Sequence, residues 1–204
     1  MDALLAFAAT LVSLRLAAEL LRRHRRRRSP ELAVWAASLA AFAIASAALA
    51  WGAAAGWSEA PFRVYYLCGG LLTAALLGAG SLVRVGMRWA VPVILVYCGL
   101  AVGVAVAEPL TATVEGSAIP AAQDYLDLFP ARVLAIAGNS LGTLAAAGVA
   151  LWTLRARPLG NTLILAGIGV AAVGSALAGL GEAGTALFAT AASVLLYAGF
   201  VGRG

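Results

Sequence analysis

Apolar residues fall into seven long stretches, and short polar connections separate them. The stretches cover residues 3–21, 32–56, 62–83, 89–107, 131–154, 159–180 and 183–202. A helix that crosses the hydrocarbon core of a bilayer needs about 20 apolar residues, and each stretch is close to that length. The pattern predicts an all-α, polytopic membrane protein in which seven transmembrane helices form one bundle over residues 1–204.

The connections contain charges and residues that end helices. The first holds the basic run 22–28 followed by Pro30, and the fifth holds Arg155 and Pro158. Proline is suited to the first turn of a helix and disrupts a helix interior, so these positions mark new helix starts. Residues 108–130 form the one long connection, which we expect to be an outer loop.

The arginines indicate how the bundle is oriented. Eleven of the fourteen basic residues fall on one side of the predicted membrane, and only Arg63 and Arg132 fall on the other. Loops on the cytoplasmic side carry an excess of basic residues. We therefore expect the N-terminus outside and the C-terminus in the cytoplasm, in a plasma membrane of the prokaryotic type. The eleven are Arg22, Arg23, Arg25, Arg26, Arg27, Arg28, Arg84, Arg88, Arg155, Arg157 and Arg203.

Composition excludes most soluble classes. Hydrophobic residues make up 63% of the chain and charged residues 11%, whereas soluble domains average about 45–50% and about 25%. A mean hydropathy of +0.95 agrees with a lipid bilayer as the main partner and excludes a nucleic-acid-binding domain. The basic run has two interpretations, a signal for topology or a contact with anionic lipids at the cytoplasmic face. The candidate lipid contacts are Arg22, Arg23, Arg25, Arg26, Arg27 and Arg28.

Missing residue types limit the chemistry of the spans. The chain has no lysine, which excludes a retinal Schiff base although the predicted topology resembles that of microbial rhodopsins. Its one histidine, His24, lies in the basic run, so histidine-ligated haem and histidine-rich metal sites inside the bundle are excluded. No set of residues for nucleophilic catalysis is present. We expect no enzymatic activity, no cofactor and no metal.

A few polar side chains occur within the predicted spans. Asn139 and Thr143 are four residues apart and share one helix face, as do Arg15 and Glu19. Two interpretations are open: the groups line a polar cavity that binds a ligand, or they make interhelical hydrogen bonds and a self-paired, snorkelling ion pair. The candidate ligand-binding residues are Asn139, Ser140, Thr143, Thr73, Arg15 and Glu19.

Two isolated arginines lie on the acidic side of the predicted membrane. Arg63 and Tyr66 are near the start of the third span, and Arg132 is at the start of the fifth. Salt bridges to nearby carboxylates are one interpretation. The other is an outer mouth that selects an anionic or zwitterionic solute.

Small residues predict close helix packing, which membrane helices use to gain contact. Gly70, Ala74 and Gly78 put a small-residue stripe on one face of the third span. Partner helices or a second copy of the chain are expected protein partners.

Seven spans are compatible with a three-plus-one-plus-three repeat. That layout is similar to the layout of SWEET-like transporters. Those proteins carry prolines in several core spans, and their PQ-loop relatives carry Pro-Gln pairs. Here Pro92 is the one proline deep within a span and no Pro-Gln pair occurs, so sugar transport does not follow.

Three function classes fit these features. The first is a small-solute transporter or channel with a polar cavity between helices. The second is a non-catalytic accessory or scaffold subunit with an apolar core. The third is a seven-helix ligand sensor that lacks its own output domain.

Overall fold

The computed structural model describes residues 2–179 and 185–201, and within them the secondary structure is entirely helical. Six of the described helices are long and apolar enough to cross a membrane. A further apolar helix of 17 residues lies near the C-terminus. The helices are α1 (Asp2–Arg27), α2 (Pro30–Ala55), α3 (Glu59–Arg84), α4 (Ala90–Ala107), the single turn α5 (Ala122–Tyr125), α6 (Leu128–Trp152), α7 (Pro158–Gly179) and α8 (Thr185–Val201).

The first six predicted spans are confirmed as apolar helices, with small shifts at their ends. The largest shift is in α1, which continues to Arg27 although its apolar stretch ends near Leu21. Arginine is a good helix former, and positive charge is favourable at a helix C-terminus, so the basic run extends the helix. The predicted turn at 181–184 and the residues Glu182 and Arg203 lie outside the described residues.

Special backbone conformations produce the tight turns between helices. Only Arg28 and Ser29 separate α1 from α2, and Arg28 has a positive φ of 52°. Gly56 ends α2 with φ 86°, and Gly86 lies in the turn after α3 with φ 92°. Glycine adopts such angles without the steric cost that a Cβ imposes.

Six of the described helices form a closed ring of neighbours. Going around it, α1 packs on α2, α2 on α3, α3 on α6, α6 on α7, α7 on α8, and α8 on α1. Helix α4 lies outside this ring and packs against α3 and the start of α6. The first and last helices of the described chain are therefore neighbours.

The interior of the ring is filled with apolar side chains at the arginine-rich end, the end that carries the basic connections. One buried cluster draws side chains from all six ring helices. Its large members are Leu16, Leu20, Trp35, Leu39, Leu77, Ile168, Leu196 and Phe200, and Ala146 completes the set from α6. The opposite end, called the loop end because it carries residues 108–127, has a second cluster that includes Phe62, Leu71 and Leu126.

Glycines let α3 and α6 approach closely, as the small-residue stripe predicted. A Cβ added to Gly78 would collide with the backbone of Gly142, and a Cβ added to Gly142 would collide with the Ala74 carbonyl. Such contacts are at backbone atoms, which cannot rotate away. Dispersion contact across this crossing therefore depends on the absence of side chains at both positions.

Candidate functional site

Helix α3 contains a π-helical turn at Tyr66–Leu72. The amide N–H of Thr73 donates to the carbonyl oxygen of Cys68, five residues earlier. A π-helical turn widens the helix and displaces carbonyls from the regular bonding pattern, and such turns are frequent at functional sites. The chain must satisfy these displaced carbonyls inside an apolar bundle.

Side chains from two neighbouring helices reach carbonyls of this turn. The Asn139 side-chain amide on α6 donates to the Gly70 carbonyl at 2.8 Å. The Tyr97 hydroxyl on α4 lies 3.0 Å from the Leu71 carbonyl. It fits into the space above Gly138, where a Cβ would collide with it. These bonds join α4 and α6 to α3.

Thr73 and Ser38 complete the bonding around the turn. The Thr73 hydroxyl donates to the Cys68 carbonyl at 2.7 Å, and Ser38 on α2 donates to the Thr73 carbonyl at 2.7 Å. Both bonds are to backbone oxygens. Asn139, one of the residues predicted to bind a ligand, thus joins α6 to α3, and the hydroxyl of Thr73, another of them, is bonded within α3.

The other neutral members of the predicted ligand set, Ser140 and Thr143, differ in burial. Thr143 is half-buried, and Ser140 is exposed on the outside of α6. Two hollows at the loop end are described below, and neither is lined by Asn139, Ser140 or Thr143. The role of these residues in ligand binding stays a prediction.

Arg15 and Glu19 are not paired with each other. Glu19 instead bonds to Arg23 at 2.9 Å and to Arg22 at 3.0 Å. Arg15 is exposed on the outer surface of α1. The helix extension through the basic run brings Arg22 and Arg23 one turn above Glu19, which explains the choice of partner.

A small cavity lies at the loop end between α3, α4 and the start of α6. Its volume is about 10 Å³, enough for one water molecule. Phe62 and Leu126 give it apolar walls, while Arg63, Tyr66 and Glu108 bring polar groups. A second, open groove lies beside it, lined by residues 57–59 and 110–115.

The Tyr66 hydroxyl is buried and makes no hydrogen bond with the described residues. Tyr66 is 8% exposed and lines the cavity. Glu108 lines the same cavity, and Arg132 follows Ala131 of its lining. A buried polar group without a partner is costly. The Tyr66 hydroxyl and the Trp57 indole N–H, also at the loop end, are the two such side-chain groups among the described residues.

Glu108 and Arg132 lie at the same end of the bundle as Tyr66 and do not form a salt bridge with each other. Glu108 is 8% exposed and Arg132 is half-buried. Among the described residues, neither side chain forms a salt bridge within 4.0 Å. Together with the cavity, Tyr66, Glu108 and Arg132 are called the loop-end site.

Arg63, one of the predicted mouth residues, is already bonded to other groups of the protein. Its Nε bonds to Glu59 at 2.8 Å, and its Nη1 donates to the Ala105 carbonyl at 2.8 Å. It therefore fastens α3 to the last turn of α4. The structure brings all three predicted mouth residues, Arg63, Tyr66 and Arg132, to one end of the bundle.

Glu108 is a site residue that the sequence does not predict. It follows an apolar stretch and precedes Pro109, on the side of the predicted membrane that carries Arg63 and Arg132. Its burial results from the 108–130 segment folding back, with Leu126 lying over the cavity. An acid placed directly at the end of a span was the one available signal.

The basic run is mostly exposed at the other end. Arg22 has 67% of its side chain exposed, and Arg25, Arg26, Arg27 and Arg28 are exposed as well. His24 is bonded to the Ser29 carbonyl across the tight turn. No protein-family model, curated protein or solved structure matches this chain.

Proposed function

We propose that the protein is a small-solute transporter or channel whose solute site is the loop-end site. One observation carries the proposal: the buried Tyr66 hydroxyl, which has no partner among the described residues, lines a cavity together with the unpaired Glu108, and the unpaired Arg132 follows Ala131 of the same lining. Polar groups within a membrane bundle are costly and are functional suspects by default. The hydrogen bonds of Asn139 and Thr73 explain those groups structurally, which leaves the loop-end site as the best-supported location.

The proposal includes the full topology. Six spanning helices and the apolar helix α8 make seven crossings, with the N-terminus and the loop-end site outside and the arginine-rich end in the cytoplasm. The order of the ring supports a three-plus-one-plus-three arrangement. Helices α1, α2 and α3 are consecutive neighbours, α6, α7 and α8 are consecutive neighbours, and α4 lies outside both groups.

Solute flux into proteoliposomes tests the proposal. The purified full chain is reconstituted, and uptake of small polar solutes is measured together with their effect on the melting temperature. Tyr66→Phe removes only the unpartnered hydroxyl, and we expect it to reduce flux severalfold. Tyr197→Phe on α8, far from the site, is the matched control.

Each outcome of that assay has a clear meaning. Flux that Tyr66→Phe leaves unchanged would place the solute path elsewhere. Solute binding with no flux would instead favour the ligand sensor. Neither binding nor flux, across anionic, cationic, neutral and zwitterionic solutes, would reject solute handling altogether.

A specific observation favours the accessory subunit as second candidate. Gly99 and Gly103 are four residues apart on α4, both are exposed, and a Cβ at either would meet open space. Small residues at this spacing allow close helix contact in membranes. Disulfide cross-linking of a Gly99→Cys variant, made without Cys68 and Cys98, would detect a second copy on this face. Val93→Cys, exposed on α4 but about 120° around the helix from Gly99, calibrates random collision.

A further inference from the structure

We infer that the loop-end site takes a compact zwitterionic solute, with its cationic group at Glu108 and its anionic group at Arg132. The inference rests on the proposed function, because it names the solute class for the same site. It commits to one charge pattern among several that a polar mouth would admit. The argument depends on the charges and bonds of four residues.

Both charged side chains of the site are available to bind a solute. Glu108 is almost fully buried, and Arg132 is half-buried. Within the described chain neither is in a salt bridge. Glu108 lines the cavity with Tyr66, and Arg132 directly follows Ala131, another residue of the lining. Buried charges need partners. A ligand that carries both signs supplies a partner to each.

A solute with a single charge fits less well. An anion attracted by Arg132 would be repelled by the buried carboxylate of Glu108. A cation attracted by Glu108 would be repelled by the guanidinium of Arg132. Arg63 does not offer a further site for an anion, because it is already bonded to Glu59 and to the Ala105 carbonyl. Like charges at short range in a low-dielectric site cost several kcal/mol.

The walls and the size of the site indicate a small solute. Phe62, Val104, Leu126 and Ala131 give apolar contact around the polar groups. The cavity of about 10 Å³ holds one water molecule, so a solute enters only when Leu126 moves outward with its segment. A hydrogen bond from the backbone N–H of Trp57 to the Gly116 carbonyl, at 2.7 Å, connects the segment to the rest of the bundle.

Three probes that share their parts test the inference. Glycine is a zwitterion, acetate carries only its anionic group, and methylammonium carries only its cationic group. Binding of each to the purified full chain is measured by the melting temperature and by titration calorimetry at one fixed ionic strength. We expect glycine to bind at least tenfold more tightly than acetate or methylammonium. This comparison needs only the wild-type chain.

Variants then assign the two charges. Glu108→Gln should weaken glycine at least tenfold and strengthen acetate relative to wild type, because the repelling carboxylate is gone. Arg132→Gln should weaken glycine and strengthen methylammonium. Glu115→Gln and Arg88→Gln, both exposed positions outside the cavity, are the matched controls and should change none of the three affinities.

The outcomes separate this inference from the proposed function. Acetate or methylammonium binding as tightly as glycine, with loss in Tyr66→Phe, would overturn the zwitterion and leave a solute site standing. Failure of all three probes to bind would also overturn the inference. In that case the broader flux assay decides the proposed function on its own.

Discussion

Asn139 donates its side-chain amide to a carbonyl that the π-helical turn of α3 displaces. The bond is between helices, and it is made where lipid and apolar side chains offer no alternative donor. Interhelical hydrogen bonds in membrane proteins contribute about 0.6 kcal/mol on average and up to about 1.7 kcal/mol. The same side chain therefore has a measurable structural role without a ligand.

Replacing Asn139 separates its structural role from ligand binding. Asn139→Leu should destabilise the bundle by about 1–2 kcal/mol, because the Gly70 carbonyl loses its donor. The check is reversible unfolding in mixed micelles. Ser140→Ala, at the exposed neighbouring position, should stay within about 0.5 kcal/mol of wild type. An Asn139→Leu protein with unchanged stability would contradict the bonding described.

The glycines at the crossing of α3 and α6 give a second prediction. Gly78→Ala should destabilise by about 1–3 kcal/mol, the usual range for overpacking, since its Cβ meets the backbone of Gly142. Gly99→Ala is the matched control in the same unfolding assay. Its Cβ meets open space, so helix propensity alone should make it neutral or more stable by up to about 1 kcal/mol. Equal effects at the two positions would refute the close crossing.

Single residues show what the sequence did and did not predict about the site. Arg63, Tyr66 and Arg132 were predicted to share a mouth because their spans begin on the same side, and the structure brings them to one end. Glu108 was missed because its burial depends on Leu126 folding over it. Asn139 was left between two interpretations because a π-helical turn has no hydrophobic pattern of its own.

Helix α1 is longer than its apolar stretch, and this places the basic run in a defined position. Near the end of the apolar stretch, Glu19 forms salt bridges with Arg22 and Arg23, whereas Arg25 to Arg28 remain exposed. The helical extension carries Arg25, Arg26 and Arg27, and Arg28 follows in the turn, so the four charges lie close to the expected headgroups. Each basic residue near an anionic surface contributes about 1 kcal/mol.

Neutralising these charges should change the response to lipid. Wild type should be stabilised more by phosphatidylglycerol than by phosphatidylcholine, as measured by melting temperature in lipid nanodiscs. The variant with Arg25, Arg26, Arg27 and Arg28 all changed to Gln should lose most of that difference. Arg88→Gln combined with Arg155→Gln removes charge elsewhere at the same end and should retain it. If the fourfold variant kept the same preference for phosphatidylglycerol, the lipid contact would be rejected, and the signal for topology would remain as the role of the basic run.

The six apolar helices of spanning length were predictable from apolar length alone, because a bilayer imposes nearly the same thickness on every crossing. The order of helices in the ring could not be predicted from the sequence, because alanine-rich helices are apolar on most faces and their patterns do not select neighbours. Bonds such as Ser38 to Thr73 and Ser13 to Ser193 select them instead. Their partners are far apart in the chain and are visible only in the fold.

The proposed orientation predicts which positions an impermeant maleimide reaches in intact cells. In a background with Cys68 and Cys98 changed to Ala, Ser58→Cys and Glu115→Cys should be labelled. Arg26→Cys and Arg88→Cys should be labelled only after permeabilisation. A tag joined after Gly204 should be on the same side as Arg26 if α8 crosses the membrane, and labelling of that tag in intact cells would leave six crossings.

The contact of α8 with α1 has a consequence for biogenesis. Ser13 meets Ser193 at 3.1 Å, and Thr190 donates to the Leu5 carbonyl at 2.7 Å. Helix α8 leaves the ribosome long after α1, so these contacts form only when the last helix of the described chain has been made. We expect a chain stopped before α8 to lack both contacts and to be degraded faster in cells than the full chain.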